Sequence, residues 1–484
     1  MFKNKTFIVY VSAFIFVIVN ALFIIKENYF FNLFPLVLLI VFMALFSLEK
    51  LLYLIIFLTP LSISVSEFYP QVTNDVSLPV EPLLFGVLII FIIKLIHSDS
   101  FDKRILYHPV SLAIYFNLFW IFITSISSTM PLVSFKFLLS RIWFLASYYF
   151  MATYLFKDLQ KIYKYIWLYI SSFLLVIFFT LYQHSKYGFF DQQAANFVVS
   201  PFLPDHTSYA AIIVMLIPFA IGFFSLLKKD TNYKMYKKIA LSFAVLVLLV
   251  GLVFSYTRAA WVSLVGILLV YLVMRFRIKF KLIFLVGFTM LILFFSFQTQ
   301  ILLMLKKNNQ GSGDNFTQHI ESMSNISTDA SNLERLNRWS CAYRMFKDKP
   351  ILGFGPATYM FKYAPYQIST ERTIISTNEG DVGNAHSEYL GPLSESGVLG
   401  FLSILLVMIL TSYTALKIYS TNPHYKIRLL AMLMFLGLLS YYLHGALNNF
   451  LDLEKTSALF WGFTAVIVAL DLYHRKEENI NHEV

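Results

Sequence analysis

The sequence is poor in charge and almost free of cysteine. Of 484 residues only 13% are Asp, Glu, Lys or Arg, against about 25% in an ordinary soluble domain. The chain therefore has far too little solvated surface for one or two water-soluble globules. Its single cysteine, Cys341, cannot form an intrachain disulfide, which excludes a disulfide scaffold. No Cys or His cluster has zinc spacing, and neither a Walker A loop nor a dinucleotide fingerprint occurs. An Asp-x-Asp pair of the kind that holds a divalent metal on a nucleotide-sugar is missing too; Glu379-Gly380-Asp381 comes closest and reads as a loop turn. No cofactor is implied. No internal repeat of the apolar segments is visible, in hydropathy or in motif.

What the chain does have is grease. Hydrophobic residues make up 58% and aromatics 18%, including 51 Phe and 30 Tyr, which excludes disorder, collagen and a coiled coil. A membrane-spanning helix needs about 20 mostly apolar residues. Such segments run near 7–25, 31–48, 51–66, 81–97, 109–127, 136–156, 163–183, 207–227, 238–255, 258–274, 282–300, 396–416, 428–446 and 456–472. The expected architecture is an all-α polytopic membrane protein of about 12–14 transmembrane helices with one large outer loop domain. The first segment has no small-residue cleavage site and reads as a retained helix. The divisions expected are a helical bundle over 1–300, a loop domain over 301–395, three further spans over 396–472 and a short charged tail over 473–484.

The formal net charge is +11, and its placement suggests orientation. Short loops around Lys228–Lys238, Arg275–Lys281 and Lys417–Arg428 are basic, whereas those holding Glu67, Asp75 and Glu81, or Asp452 and Glu454, are acidic. Basic loops stay in the cytoplasm, so both termini are expected there and 301–395 on the outer face. That long segment carries nine basic and ten acidic residues. Connections of such length are usually functional or disordered. Within it, Leu333, Leu336, Trp339, Ala342, Tyr343 and Phe346 recur at helical spacing and predict an amphipathic helix over 333–349, after which Gly353, Gly355 and Pro356 force a turn.

Ionisable residues within or beside spans are costly and tend to be functional. Arg258 stands at a turn between two spans and Arg141 in the outer part of another; the bland alternative for each is a snorkelling stem. A planar guanidinium grips phosphate oxygens bidentately, so converging arginines can form a pyrophosphate clamp. His386 closes the outer segment ten residues before the span at 396, where a lipid headgroup would lie. It is either a solvated loop histidine or a general base. His206 beside Asp205 reads as a helix-start pair, and His444 as a core histidine satisfied by a backbone carbonyl.

Three blocks together resemble a known family. Ser255-Tyr256-Thr257-Arg258-Ala259-Ala260-Trp261 is similar to the S-x-(S/T)-R-(G/A)-(A/G)-W signature of the O-antigen ligase/polymerase superfamily. Arg335-x3-Trp339 followed by Pro350-Ile351-Leu352-Gly353-Phe354-Gly355-Pro356 resembles its R-x3-W…PxxGxGP block, and His386-Ser387 with Gly397 and Gly400 its H-(N/S/Q)-x9-G-x2-G pattern. The resemblance spans roughly residues 200–410. It implies a metal-independent, inverting membrane glycosyltransferase of the bacterial inner membrane that moves a glycan from undecaprenyl pyrophosphate to a glycolipid or glycan acceptor at the periplasmic face. By position, Arg258 matches the signature arginine, Arg335 the loop arginine and His386 the base, while Arg141 aligns with an earlier arginine without a distinctive motif. Partners implied are the lipid-linked donor, the acceptor and membrane lipid, with no nucleic acid. A polymerase using a second lipid-linked glycan as acceptor shares the donor and fold. A transporter would carry repeats and midplane charges, which this sequence does not show.

Overall fold

A computed structural model describes residues 2–69, 76–97, 101–226, 234–278, 330–373, 376–377 and 383–475. The chain divides into two compact units, residues 1–55 and 56–484. In the first, α1 (Phe2–Ile25) is followed by a 3-10 turn and α2 (Phe34–Phe46). Phe31 stacks on Phe16, Phe23 and Phe34, and Asn20 Nδ2 donates to Asn32 Oδ1 at 2.7 Å, a polar tie within this apolar pair.

The second unit is a helical bundle. Its main helices are α4 (Val80–His97), α5 (Pro109–Ile126), α6 (Pro131–Phe144), α7 (Leu159–Ser185), α8 (His206–Leu226), α9 (Lys234–Val253), α10 (Arg258–Phe276), α11 (Ala330–Asp348), α12 (Leu390–Thr421), α13 (Tyr425–His444) and α14 (Glu454–Tyr473), after α3 (Leu48–Leu58) crosses the unit boundary. Among the described residues nine helices are long and apolar enough to cross a membrane. Strand is confined there to a two-residue antiparallel ribbon, Ile63–Ser64 with Ser77–Leu78. The chain is thus an all-α, multi-pass membrane protein.

Differences from the expected spans have local causes. The 51–66 segment is cut short because Pro60 closes α3 into a 3-10 turn. The 136–156 segment is helical but passes through a π-helical stretch, Leu145–Met151, whose residues are all buried. The 396–416 span starts earlier, at Leu390, and kinks at Gly397, so His386 lies four residues before a helix rather than ten. The 282–300 segment lies outside the described residues.

The core centres on α13 and α14, which pack on each other and on α8, α10 and α12. Gly437 makes this close approach possible: a Cβ there would stand 2.8 Å from the Met215 carbonyl oxygen and 2.7 Å from the Phe463 ring. The many tyrosines bring their own hydrogen-bond donors into the core. Tyr165 and Tyr169 donate to the Ala458 and Lys455 carbonyls, each at 2.8 Å, which satisfies groups that a lipid-like interior would otherwise strand.

Candidate active site

The Arg258 turn joins α9 to α10 and is locked from both sides. Tyr256 holds a left-handed φ of 51°, uncommon for a residue with a Cβ and a cost of about 1–2 kcal/mol. Its hydroxyl donates to the Phe189 carbonyl at 2.8 Å, and Thr257 Oγ1 donates to the His206 carbonyl at 3.2 Å. Phe254 packs on Phe189 and His184. The buried small residues Ala259 and Ala260 then let α10 start tight against its neighbours, with Arg258 at its first position. Asp205 caps α8 as a helix-start residue: its Oδ1 accepts from the backbone N–H of Thr207 and Ser208 at 2.8 and 2.7 Å.

Helix α11 forms as the sequence predicts, but its buried face is rotated. Glu334, Asn337, Arg338, Cys341, Ala342 and Met345 face inward, whereas Leu336 and Tyr343 are exposed. The reason is a buried ion pair. Arg338 Nε donates to Glu334 at 2.6 Å and its guanidinium lies 4.0 Å above the Tyr363 ring. Burial raises the Glu334 carboxyl, but donors from Ser376, Arg338 and Thr373 outweigh it and hold the group below the usual range. Around this pair Cys341, Ala342, Met345, Phe354, Tyr359, Tyr363 and Ala385 form a small core. Burial pushes the Cys341 thiol up to about 11.

Two of the glycine blocks are one construction. The backbone of 350–355 lies directly on that of 394–398: Gly355 N–H donates to the Glu395 carbonyl at 2.8 Å and Val398 N–H to the Pro350 carbonyl at 2.9 Å. Gly397 has φ 69°, and a Cβ there would meet the Ile351 carbonyl oxygen at 2.0 Å. The turn read from Gly353-Phe354-Gly355 is therefore a docking surface for the kinked start of α12.

His386 sits where these parts meet. It too has a positive φ, 47°. Its N–H donates to Asn384 Oδ1 at 3.0 Å, and its carbonyl accepts from Trp339 Nε1 at 3.2 Å. Burial first, then the charges of Arg335 and Arg338, push the imidazole down to about 4, opposed by Asp205 and Glu334. The ring is therefore neutral at pH 7 and able to accept a proton. Arg335 and Arg258 also act on His206, and Arg335 and Asp205 on His444. One end of the bundle thus gathers three arginines, three histidines and two carboxylates.

Glu388 staples this loop to the next. Its carboxylate accepts from Phe450 N–H at 2.7 Å, Leu451 N–H at 2.8 Å and the Tyr441 hydroxyl, while its own N–H donates to the Gly445 carbonyl at 2.8 Å. Burial pushes the Glu388 carboxyl up. His444 is buried as expected, but its partner is the Asn448 side chain at 3.2 Å rather than a carbonyl.

Arg141 is held elsewhere. Its guanidinium donates to the Leu451 carbonyl at 2.7 Å and to Asp452 at 2.6 Å. It lines a cavity of about 50 Å³ with Glu388, Glu395 and Ser396, so it supports the 450–453 turn from beneath. The sequence reading missed Arg338, whose i,i+4 spacing from Glu334 was the available signal, and the reach of Trp339 to His386. Among the described residues no group of His, Cys, Asp and Glu has the arrangement of a metal site.

No curated protein matches the chain. Residues 243–405 match the family model described as O-antigen ligase. That segment includes the Arg258 turn, Arg335, the docked glycine blocks and His386, and the match supports the likeness to the O-antigen ligase/polymerase superfamily.

Proposed function

We propose that this chain is an inverting, metal-independent glycosyltransferase of the ligase type. It takes a glycan from undecaprenyl pyrophosphate and joins it to an acceptor hydroxyl, such as one on lipid A-core, at the periplasmic face of the bacterial inner membrane. The observation that carries this reading is a neutral, half-buried His386 under the charge of Arg335, in the same electrostatic neighbourhood as Asp205, His206 and Arg258.

The chemistry follows from those groups. The acceptor oxygen attacks the anomeric carbon on the side opposite the pyrophosphate, and His386 takes its proton as the new C–O bond forms. The bond to the phosphate oxygen breaks, and its electron pair leaves with the pyrophosphate. Arg258 and Arg335 stabilise the charge that develops there. The energy is already stored in the donor, so no nucleotide is needed. Arg141, tied to Asp452, enters as a support of the loop rather than as part of the clamp. The polyprenyl tail lies along the lipid-facing side of the bundle.

The spacing from His386 to Gly397 and Gly400 favours a ligase over a polymerase. The test is the glycan left on undecaprenyl pyrophosphate in a deletion strain. Long chains are expected; single repeat units would reassign the protein as a polymerase.

The proposed face has its own test. Ser369 is exposed beyond α11, so Ser369→Cys should react with an impermeant thiol reagent in intact spheroplasts. The native Cys341, fully buried and with its thiol raised to about 11, should stay silent. Labelling that requires permeabilisation would reverse the orientation, with 301–395 and the site then cytoplasmic.

A further inference from the structure

We infer that Trp339 is the positioning residue of His386, acting through its indole N–H on the His386 backbone; this rests on the reading of His386 as the base. The argument starts from the backbone. At φ 47° His386 is in a left-handed conformation that a residue with a Cβ adopts only when its surroundings impose it. Neither of its main-chain polar groups belongs to a helix or strand. The N–H is taken by Asn384 Oδ1 at 3.0 Å and the carbonyl by Trp339 Nε1 at 3.2 Å. The indole is a donor only, so it has one use here, and that use is to hold this carbonyl.

Both ends of the clamp are fixed. Trp339 lies one turn after Arg335 on α11, so one rigid helix carries the arginine whose charge acts on the imidazole and the indole that grips its backbone. The helix is pinned by Cys341, Ala342 and Met345 in the small core, and by the Tyr359 hydroxyl donating to the Arg338 carbonyl at 2.7 Å. Ala385, beside His386, is buried in the same core. On the other side Ser387 Oγ accepts from the Leu390 N–H at the start of α12, and Glu388 ties to Gly445, Phe450 and Leu451. His386 is the turn between two anchored segments, and Trp339 sets which way that turn presents the ring. A misplacement of about 1 Å at a reacting group can cost on the order of 10²-fold in rate.

The experiment uses the full-length protein, lipid-linked donor and acceptor, with Trp339→Phe made alone and in a His386→Gln background. Phe keeps the aromatic packing and removes only the donor. Expected is a fall in kcat of about 10- to 100-fold in the wild-type background, with the donor KM little changed. In the His386→Gln background the same change should cost nothing further, because its effect runs through a base already lost. Asn384→Ala, which releases the turn from the other side, should behave alike and guards against a folding defect peculiar to the indole site. Unchanged kcat in Trp339→Phe overturns the proposal, and so does an equal loss in both backgrounds, which would mark a purely structural role. A fully active His386→Gln overturns the base reading itself and this inference with it.

Discussion

His386→Gln should lose about 10²–10⁴-fold in turnover while still binding the lipid-linked donor. Glutamine approximates the size of the imidazole and can offer a hydrogen bond to the acceptor hydroxyl, but it cannot carry the proton away. His386→Ala should be impaired to a similar extent, because what matters is a neutral, basic nitrogen at that place. The donor KM should move little in either variant, since Arg258 and Arg335 remain. Purified protein with defined donor and acceptor is the decisive assay, and turnover should be unchanged by EDTA. Near-wild-type turnover by the Gln variant would leave His386 a positioning role only, and inhibition by EDTA would contradict the metal-free scheme.

The pH profile of the wild type tests the same residue independently. An ordinary imidazole titrates at 6.5, but burial and the two arginines push His386 down to about 4. As a base it must be unprotonated, so kcat/KM, which reports the free enzyme, should hold through pH 6 and 5 and fall only as pH drops through about 4. The limb in kcat should lie higher, because bound pyrophosphate adds negative charge that favours the imidazolium. Stability moves with the same sign. Between about 6.5 and 4 the unfolded chain binds a proton that the folded site refuses, so stability is lost as pH falls across that window.

Much of this was legible from hydropathy and three short motifs, and the reasons it stopped there are physical. Long apolar runs report helices well, because nothing else satisfies backbone groups in lipid; nine of the expected spans have counterparts among the described long helices. Periodicity found α11 but chose the wrong face, because an apolar count cannot see that Arg338 and Glu334 neutralise each other inward while Leu336 and Tyr343 point out. Gly353 and Gly355 read as a turn, yet together with Gly397 they make contact across more than forty residues. The same limit applies to the arginines. A sequence can show that Arg141 sits near a span end, but only packing reveals Asp452 and the Leu451 carbonyl as its partners.

Arg258→Lys should fail nearly as badly as Arg258→Ala, and this is the sharpest test of the clamp. Removing a fixed donor to a developing oxyanion typically costs about 10²–10³-fold in kcat, and on the proposed clamp Arg258 belongs in that class. Lysine keeps the charge on a flexible stem but loses the planar fork that binds two oxygens at once. Here the fork is worth more than usual, because the turn that carries it is rigid: Tyr256 is held at φ 51° by the Phe189 carbonyl, and Thr257 by the carbonyl of His206. Arg258 also stands at the first position of α10, where the helix end adds positive potential toward an anion. Arg335→Lys should follow the same pattern from the opposite side, and combining Arg258→Ala with Arg335→Ala should cost less than the product of the two losses, since both act on one leaving group. Arg141→Ala is the contrast. With its guanidinium on Leu451 and Asp452, its loss should appear as lowered thermal stability with the donor KM nearly intact. Full turnover in Arg258→Lys, at normal protein level, would reduce the clamp to plain positive charge; a donor KM that rises most in Arg141→Ala would move the pyrophosphate to the other side of Glu388.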